Sequence, residues 1–265
     1  MNICLFASEV AIITGHNKYQ DIHEYKAKLW RKHFPNDYQN TLLEYQKLKK
    51  VQVIEESRDE LINRVCKEQK VSLKKTLDCS NPTEMKKERE KVLKKLEKTL
   101  PKTELKEIKE AITEKTNTAL GTKTEEKIKK NYNQKNSKNA TSDNRFYKMG
   151  LRDSDTYSWT LGGRIDGLDK DTGELIEIKN RINRLFYKLR DYEKVQIFIY
   201  MKLLDKQEAT LIENFKDEMN TILIKWDEKF WQTEVLDKIS VFMNEFEQFV
   251  QSKEKKMRLL EYLIE

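Results

Sequence analysis

The run Gly162-Gly163-Arg164-Ile165-Asp166-Gly167, followed ten residues on by Glu177-Ile178-Lys179, holds the residue types of a hydrolytic centre. It reads as a strand ending in an acid, a turn, and a second strand with an acid and a base two residues apart. Side chains alternate faces along a strand, so Glu177 and Lys179 point the same way and Ile178 points into the opposite layer. Between them, Asp169-Lys170-Asp171-Thr172-Gly173 is rich in hairpin-turn residues. Such a hairpin brings Asp166 beside Glu177 and leaves Lys179 one pleat further along. Two carboxylates with a carbonyl oxygen make a hard oxygen site suited to Mg²⁺ or Mn²⁺. An ammonium beside that ion can orient a water and stabilise charge building on a phosphate, which is the chemistry of phosphodiester cleavage. The same three residues also fit an ordinary solvated hairpin edge.

Flanking segments bear on that choice. Tyr192, Gln196 and Tyr200 recur every four residues and so share one face of a helix. The rest of 191–204 is largely apolar, with Val195, Ile197, Phe198, Ile199 and Met201. A glutamine there needs a partner, which a phosphate, a bound water or a catalytic carboxylate would supply. A half-exposed glutamine between two tyrosines is the plain alternative. Upstream, Gly121-Thr122-Lys123-Thr124-Glu125 opens a helical stretch in which Glu125 faces inward with Ile128 and Tyr132. It either completes an acidic cluster or is a surface charge of a Lys/Glu-rich helix. Arg164 and Arg181 flank the site residues; Arg181 shares the parity of Glu177 and Lys179, and can meet a phosphate or pair with an acid.

Taken in order, Gly-x(3)-Glu, Gly-Gly-x-x-Asp-Gly, Glu-Ile-Lys and Gln-x(3)-Tyr resemble the PD-(D/E)xK nuclease superfamily, and within it the YqaJ-type viral recombinases, the group that includes the phage lambda exonuclease. The segment from Ala7 to Tyr19 is similar to that group's opening motif. The resemblance covers about residues 5–35 and 119–250. It implies an α/β fold with a restriction-endonuclease-like core, a central mixed β-sheet flanked by helices. It implies that Asp166, Glu177 and the Ile178 carbonyl ligate Mg²⁺, with Mn²⁺ as a substitute, and that Glu125 binds the metal directly or through water. Lys179 would position or activate the attacking water, Gln196 would buttress the site, and Tyr200 would buttress it or, like Arg164 and Arg181, contact the DNA. Ser8 would hold a DNA phosphate at a helix start, as an N-cap serine can, or act as a plain cap. Only seven residues precede Ser8, so a basic residue that the family places further upstream has no counterpart there. The implied activity is 5′→3′ exonucleolytic resection of double-stranded DNA ends, in recombination, repair or viral replication. Its implied partner is a single-strand annealing protein, and ring-forming relatives imply a homo-oligomer. A structure-specific or restriction-type endonuclease shares the motif, and a decayed DNA-binding scaffold is the non-enzymatic alternative.

Composition agrees. The chain has 265 residues and a formal charge of +7, from 52 Lys and Arg against 45 Asp and Glu, which favours a polyanionic partner. Its three cysteines suit a reducing compartment and are too few for the four thiolates of an iron–sulfur cluster. His16, His23 and His33 lack zinc spacing. No stretch approaches the ~18 apolar residues of a membrane span and no signal peptide is visible, so the expectation is a soluble intracellular protein.

The elements that must position the site follow from glycine and apolar spacing. Five of the seven glycines fall between Gly150 and Gly173, so the middle is turn-rich and the flanks helical. Helices are expected over 8–14 and 20–33. From 40 to 118 the chain reads as a charged helical insertion within one nuclease domain (1–265), started afresh at Asn81-Pro82 and broken at Leu100-Pro101. It is either a solvated elaboration or a DNA or partner surface. Residues 133–145 read as a polar loop. Strands are expected over 146–151, 157–161, 162–168, 174–179, 208–215 and 220–226. A terminal helical region carries Phe230, Trp231, Val235, Ile239, Phe242, Phe246 and Phe249 as a core-facing stripe.

Overall fold

The computed structural model describes residues 1–51 and 56–264; residues 52–55 of the expected insertion, and Glu265, lie outside them. The chain opens with strand β1 (Asn2–Phe6), then helices α1 (Val10–Ile13), α2 (Ile22–His33) and α3 (Pro35–Lys49). The charged middle forms α4 (Arg58–Glu68), α5 (Lys74–Asp78), α6 (Pro82–Leu96) and α7 (Lys102–Asn136). The turn-rich segment gives β2 (Ala140–Thr141), β3 (Tyr147–Asp153), β4 (Ser158–Gly163), β5 (Gly167–Asp169) and β6 (Leu175–Asn180). After α8 (Asp191–Leu203) come β7 (Glu208–Phe215) and β8 (Glu218–Lys225), then α9 (Glu228–Phe230), a π-helical turn (Trp231–Leu236), α10 (Asp237–Gln251) and α11 (Lys253–Ile264).

Two sheets result. A three-stranded sheet has the order β1-β4-β3, with β1 parallel and β3 antiparallel to β4. A five-stranded mixed sheet has the order β2-β5-β6-β7-β8, parallel only between β6 and β7. Parallel neighbours need a crossover, and α8 supplies it. Its apolar residues occupy nearly every face, as a fully packed helix requires: Val195, Ile197, Phe198, Ile199 and Met201 are buried. It touches β3 and β4 of one sheet and β6 and β7 of the other, so the face carrying Gln196 and Tyr200 lies where the sheets meet. The expected terminal stripe holds: Trp231, Val235, Ile239, Phe242, Phe246 and Phe249 are buried in the main core. Trp159 and Phe246 meet edge-on at 5.8 Å.

Three expectations about the middle change. The helix expected to open at Gly121 is instead the interior of the 35-residue α7, and the limit at 118 falls within it. One half of α7 packs Ile108 and Ile112 against Leu61, Val65, Leu93 and Leu96 of α4 and α6, which form a second core. The other half lays Ile128 and Tyr132 on Ile176, Ile178 and Ile212 of the large sheet. Helix α3, across the limit at 40, sends Tyr38, Leu42 and Tyr45 into the main core. The expected loop over 133–145 begins as the end of α7 and contains β2, held by Asn133 Nδ2 donating to the Ala140 carbonyl at 2.9 Å. The expected breaks are met: Asn81 caps α6 by accepting from the Thr83 and Glu84 N–H groups, and α7 begins just after Pro101.

Candidate active site

The strand expected over 162–168 is split between the sheets. Gly162 and Gly163 close β4, Gly167 opens β5, and Asp166 sits on the link. Gly167 lies so close to β2 that a Cβ there would come within 2.7 Å of the Thr141 carbonyl oxygen, so no larger residue fits without moving that strand. The Ile178 N–H donates to Asp166 Oδ2 at 2.7 Å and fixes this carboxylate beside β6.

Alternation along β6 does the rest. Ile176 and Ile178 pack with α7, while Leu175 joins the main core with Glu177 and Lys179 on its side. Lys179 Nζ donates to Glu177 Oε1 at 2.6 Å and to Gln196 Oε1 at 3.1 Å. Gln196 Nε2 donates to the Tyr200 hydroxyl at 3.1 Å. Asp166, Glu177, Lys179, Gln196 and Tyr200, drawn from a link, a strand and a helix, therefore form one connected group.

Its electrostatics are uneven. Burial, and then the charge of Asp166, push the Glu177 carboxyl up to about 8. Burial also raises Asp166, against the pull of Lys179. Burial opposes the charge on Lys179, but the Glu177 and Asp166 carboxylates outweigh it and hold the ammonium above its ordinary range. Glu177 Oε2 is buried without a hydrogen-bond partner among the described residues. Such an orphaned carboxylate oxygen is costly and calls for a cation or an ordered water. No group of three or more His, Cys, Asp or Glu side chains that could hold a metal occurs among the described residues. The donor set at hand, two carboxylates with the Ile178 carbonyl, still fits Mg²⁺, which keeps several waters and takes one or two protein carboxylates.

Glu125 lies beside this group on α7, its side chain 29 % exposed and ion-paired to Lys129 at 2.9 Å. Burial, offset by Lys129 and reinforced by Asp166, raises its carboxyl. Lys129 is a participant the sequence did not single out: it is buried, and donates to Glu125 at 2.9 Å and to the Asp166 carbonyl at 3.0 Å. Its only signal was an i,i+4 pairing with Glu125, one of many in a Lys/Glu-rich helix.

The other expected residues stand apart. Ser8 is exposed in the turn after β1; Glu9 holds the N-cap position of the four-residue α1, without a side-chain cap, and pairs with Lys28. Ser8 therefore caps no helix. Arg164 is exposed on the link next to Asp166. Arg181 is buried beyond the end of β6 and faces no solvent-side phosphate: its guanidinium donates to Glu193 Oε2 at 3.0 Å and Glu213 Oε1 at 2.8 Å. Glu213 also accepts from the Tyr187 N–H at 2.9 Å, so the triad fastens the loop before α8. Arg181→Ala strands two buried carboxylates and is expected to cost about 3–5 kcal/mol in chemical denaturation.

Gly163 faces Tyr200, and a Cβ there would come within 2.8 Å of its ring and 3.2 Å of Ala7 Cβ. Gly163→Val is therefore expected to displace Tyr200 and with it Gln196. The expected cost is about 1–3 kcal/mol of stability and most of any hydrolytic rate, measured by melting and turnover side by side.

Neither a protein-family model nor a curated protein sequence matches the chain. Among solved structures, an alkaline exonuclease from Laribacter hongkongensis resembles it over 97 % of this chain and 94 % of that one, with a TM-score of 0.48 and 16 % identity. The protein SSO0001 resembles it over 68 % of this chain and 84 % of that one, with a TM-score of 0.35 and 18 % identity.

Proposed function

We propose that the chain is a divalent-metal-dependent DNA nuclease on a PD-(D/E)xK core. The observation that carries this reading is the buried, unpartnered Glu177 Oε2, set in a group where Asp166 and Lys179 converge and Gln196 fixes the ammonium. Asp166, Glu177 and the Ile178 carbonyl would hold Mg²⁺ or Mn²⁺. When bound, such an ion supplies Lewis-acid polarisation of a phosphoryl oxygen and a more acidic water. Lys179 orients the attacking water and stabilises developing negative charge, Gln196 holds Lys179 in place, and Tyr200 holds Gln196. Arg164, exposed two residues before Asp166, would meet the DNA backbone. In-line attack leaves a 5′-phosphate on the product.

The motif order extends the reading to 5′→3′ resection of double-stranded ends, which would hand a 3′ strand to an annealing partner, and to a homo-oligomeric assembly. No helix among the described residues is long and apolar enough to cross a membrane. The test is digestion of a linear duplex with a 5′-phosphate, beside covalently closed circular plasmid, with and without Mg²⁺. Mg²⁺-dependent loss of the linear DNA alone, with nucleotides released from the 5′ end, is the expected result. Nicking of the circle would make the chain an endonuclease. Binding with no cleavage of either substrate would sink the enzymatic reading.

A further inference from the structure

We infer that Lys129 is a built-in cation that limits the acidic centre to one divalent ion, with Glu125 a positioning residue acting through it rather than a metal ligand. This rests on the nuclease reading and deepens it. Lys129 is among the largest fully buried side chains of the protein, which is rare for a lysine unless it is paired. Its stem runs past Gly167, where a Cβ would stand 3.6 Å from Lys129 Cδ.

The ammonium donates to Glu125 Oε1 at 2.9 Å, to the Asp166 carbonyl at 3.0 Å and to the Ser142 hydroxyl. An ammonium carries three protons, so these bonds saturate it. Glu126 stands 2.9 Å away as a further counter-charge and accepts from Ser142. Asp166 is thus clamped twice, at its carbonyl by Lys129 and at its carboxylate by the Ile178 N–H.

Charge balance points the same way. Glu125, Asp166 and Glu177 are three carboxylates at the centre, and Lys129 and Lys179 are two ammonium groups. Glu126, its side chain 66 % exposed, adds a solvated charge at the rim. Fully ionised, the inner groups carry −1, so a single divalent ion already offsets them. A second ion between Glu125 and Asp166 would sit against a fixed positive charge in a poorly solvated place. Donor capacity is asymmetric in the same sense: Glu125 Oε1 is engaged with Lys129, while Glu177 Oε2 has no hydrogen-bond partner among the described residues.

The test counts Mn²⁺ bound per chain by calorimetry on the full-length, DNA-free protein. Wild type is expected to bind one ion and Lys129→Met two, as the freed Glu125 and Asp166 admit a second, with Lys129→Arg restoring one. Two ions in the wild type, or one in Lys129→Met at wild-type affinity, would overturn the inference while leaving the nuclease reading intact. Should Lys129→Met not fold, Glu125→Gln decides. It is expected to keep one ion, weakened by about 10- to 100-fold at most, as for groups that orient a ligand; complete loss of the ion makes Glu125 a ligand and overturns the inference. A folded wild type that binds no Mn²⁺ defeats the nuclease reading itself.

Discussion

Lys179→Ala is expected to lower phosphodiester hydrolysis by about 10²–10³-fold or more, the range seen when one donor aimed at developing charge is lost, with duplex affinity nearly unchanged. The asymmetry follows from position. Lys179 is a quarter exposed, with its ammonium 2.6 Å from Glu177 and 3.1 Å from Gln196, so it reaches into the centre rather than along the surface. Affinity for a duplex comes mainly from phosphate contacts spread over a surface, to which one inward ammonium adds little. Loss of Lys179 also removes the charge that offsets burial of Glu177, so the variant should hold its proton at higher pH than the wild type. Lys179→Arg keeps the charge but changes the donor geometry, and should bind duplex like the wild type without recovering the rate. Single-turnover cleavage beside fluorescence anisotropy separates the two quantities. Near-wild-type turnover by Lys179→Ala would remove this residue from the chemistry.

The second large effect concerns Glu177→Gln, and its sign is unusual. The carboxyl titrates at about 8 in the folded protein against an ordinary 4.5. Between these values the folded state holds a proton that the unfolded state has released. Stability therefore falls as pH rises from 4.5 towards 8 and levels off above. At 1.36 kcal/mol per pH unit across that window, the ionised glutamate costs at most about 5 kcal/mol at pH 8 or above. Metal-free Glu177→Gln should accordingly melt higher than the wild type at pH 8 to 9, with the advantage vanishing near pH 4.5. Mg²⁺ reverses the order: it should raise the melting temperature of the wild type by mass action and leave the variant where it was. Cleavage should be lost. Thermal melts across pH, with and without Mg²⁺, measure all of this without substrate, and equal stabilisation of both proteins by Mg²⁺ would remove Glu177 from the metal site.

The site was legible to the extent that it depends on local rules. Strand alternation put Glu177 and Lys179 on one face, and four-residue spacing put Gln196 and Tyr200 together; both follow from backbone periodicity alone. What escaped depends on which distant segments pair. Strand β1 is five residues with only Ile3 and Leu5 facing inward, and it exists because β4, over 150 residues away in sequence, lies beside it. Because β1 takes Asn2–Phe6, Ser8 falls in the turn that leaves the strand and not at a helix start. Arg181 kept the expected strand parity, but the strand ends at Asn180, and the acids that claim the guanidinium come from α8 and β7. Lys129 looked like any lysine of its helix until the link carrying Asp166 folded against it. The aromatic stripe over 230–249 was readable because a buried helix announces its inner face through composition.

The continuity of α7 has a mechanical meaning. At 1.5 Å per residue, its 35 residues make a rod about 50 Å long. One end is gripped by the core it shares with α4 and α6, and the other carries Glu125 and Lys129 to Asp166. The helix is unbroken between them. A tilt of α4 and α6 against the sheet would be carried along this rod to the ammonium that clamps Asp166.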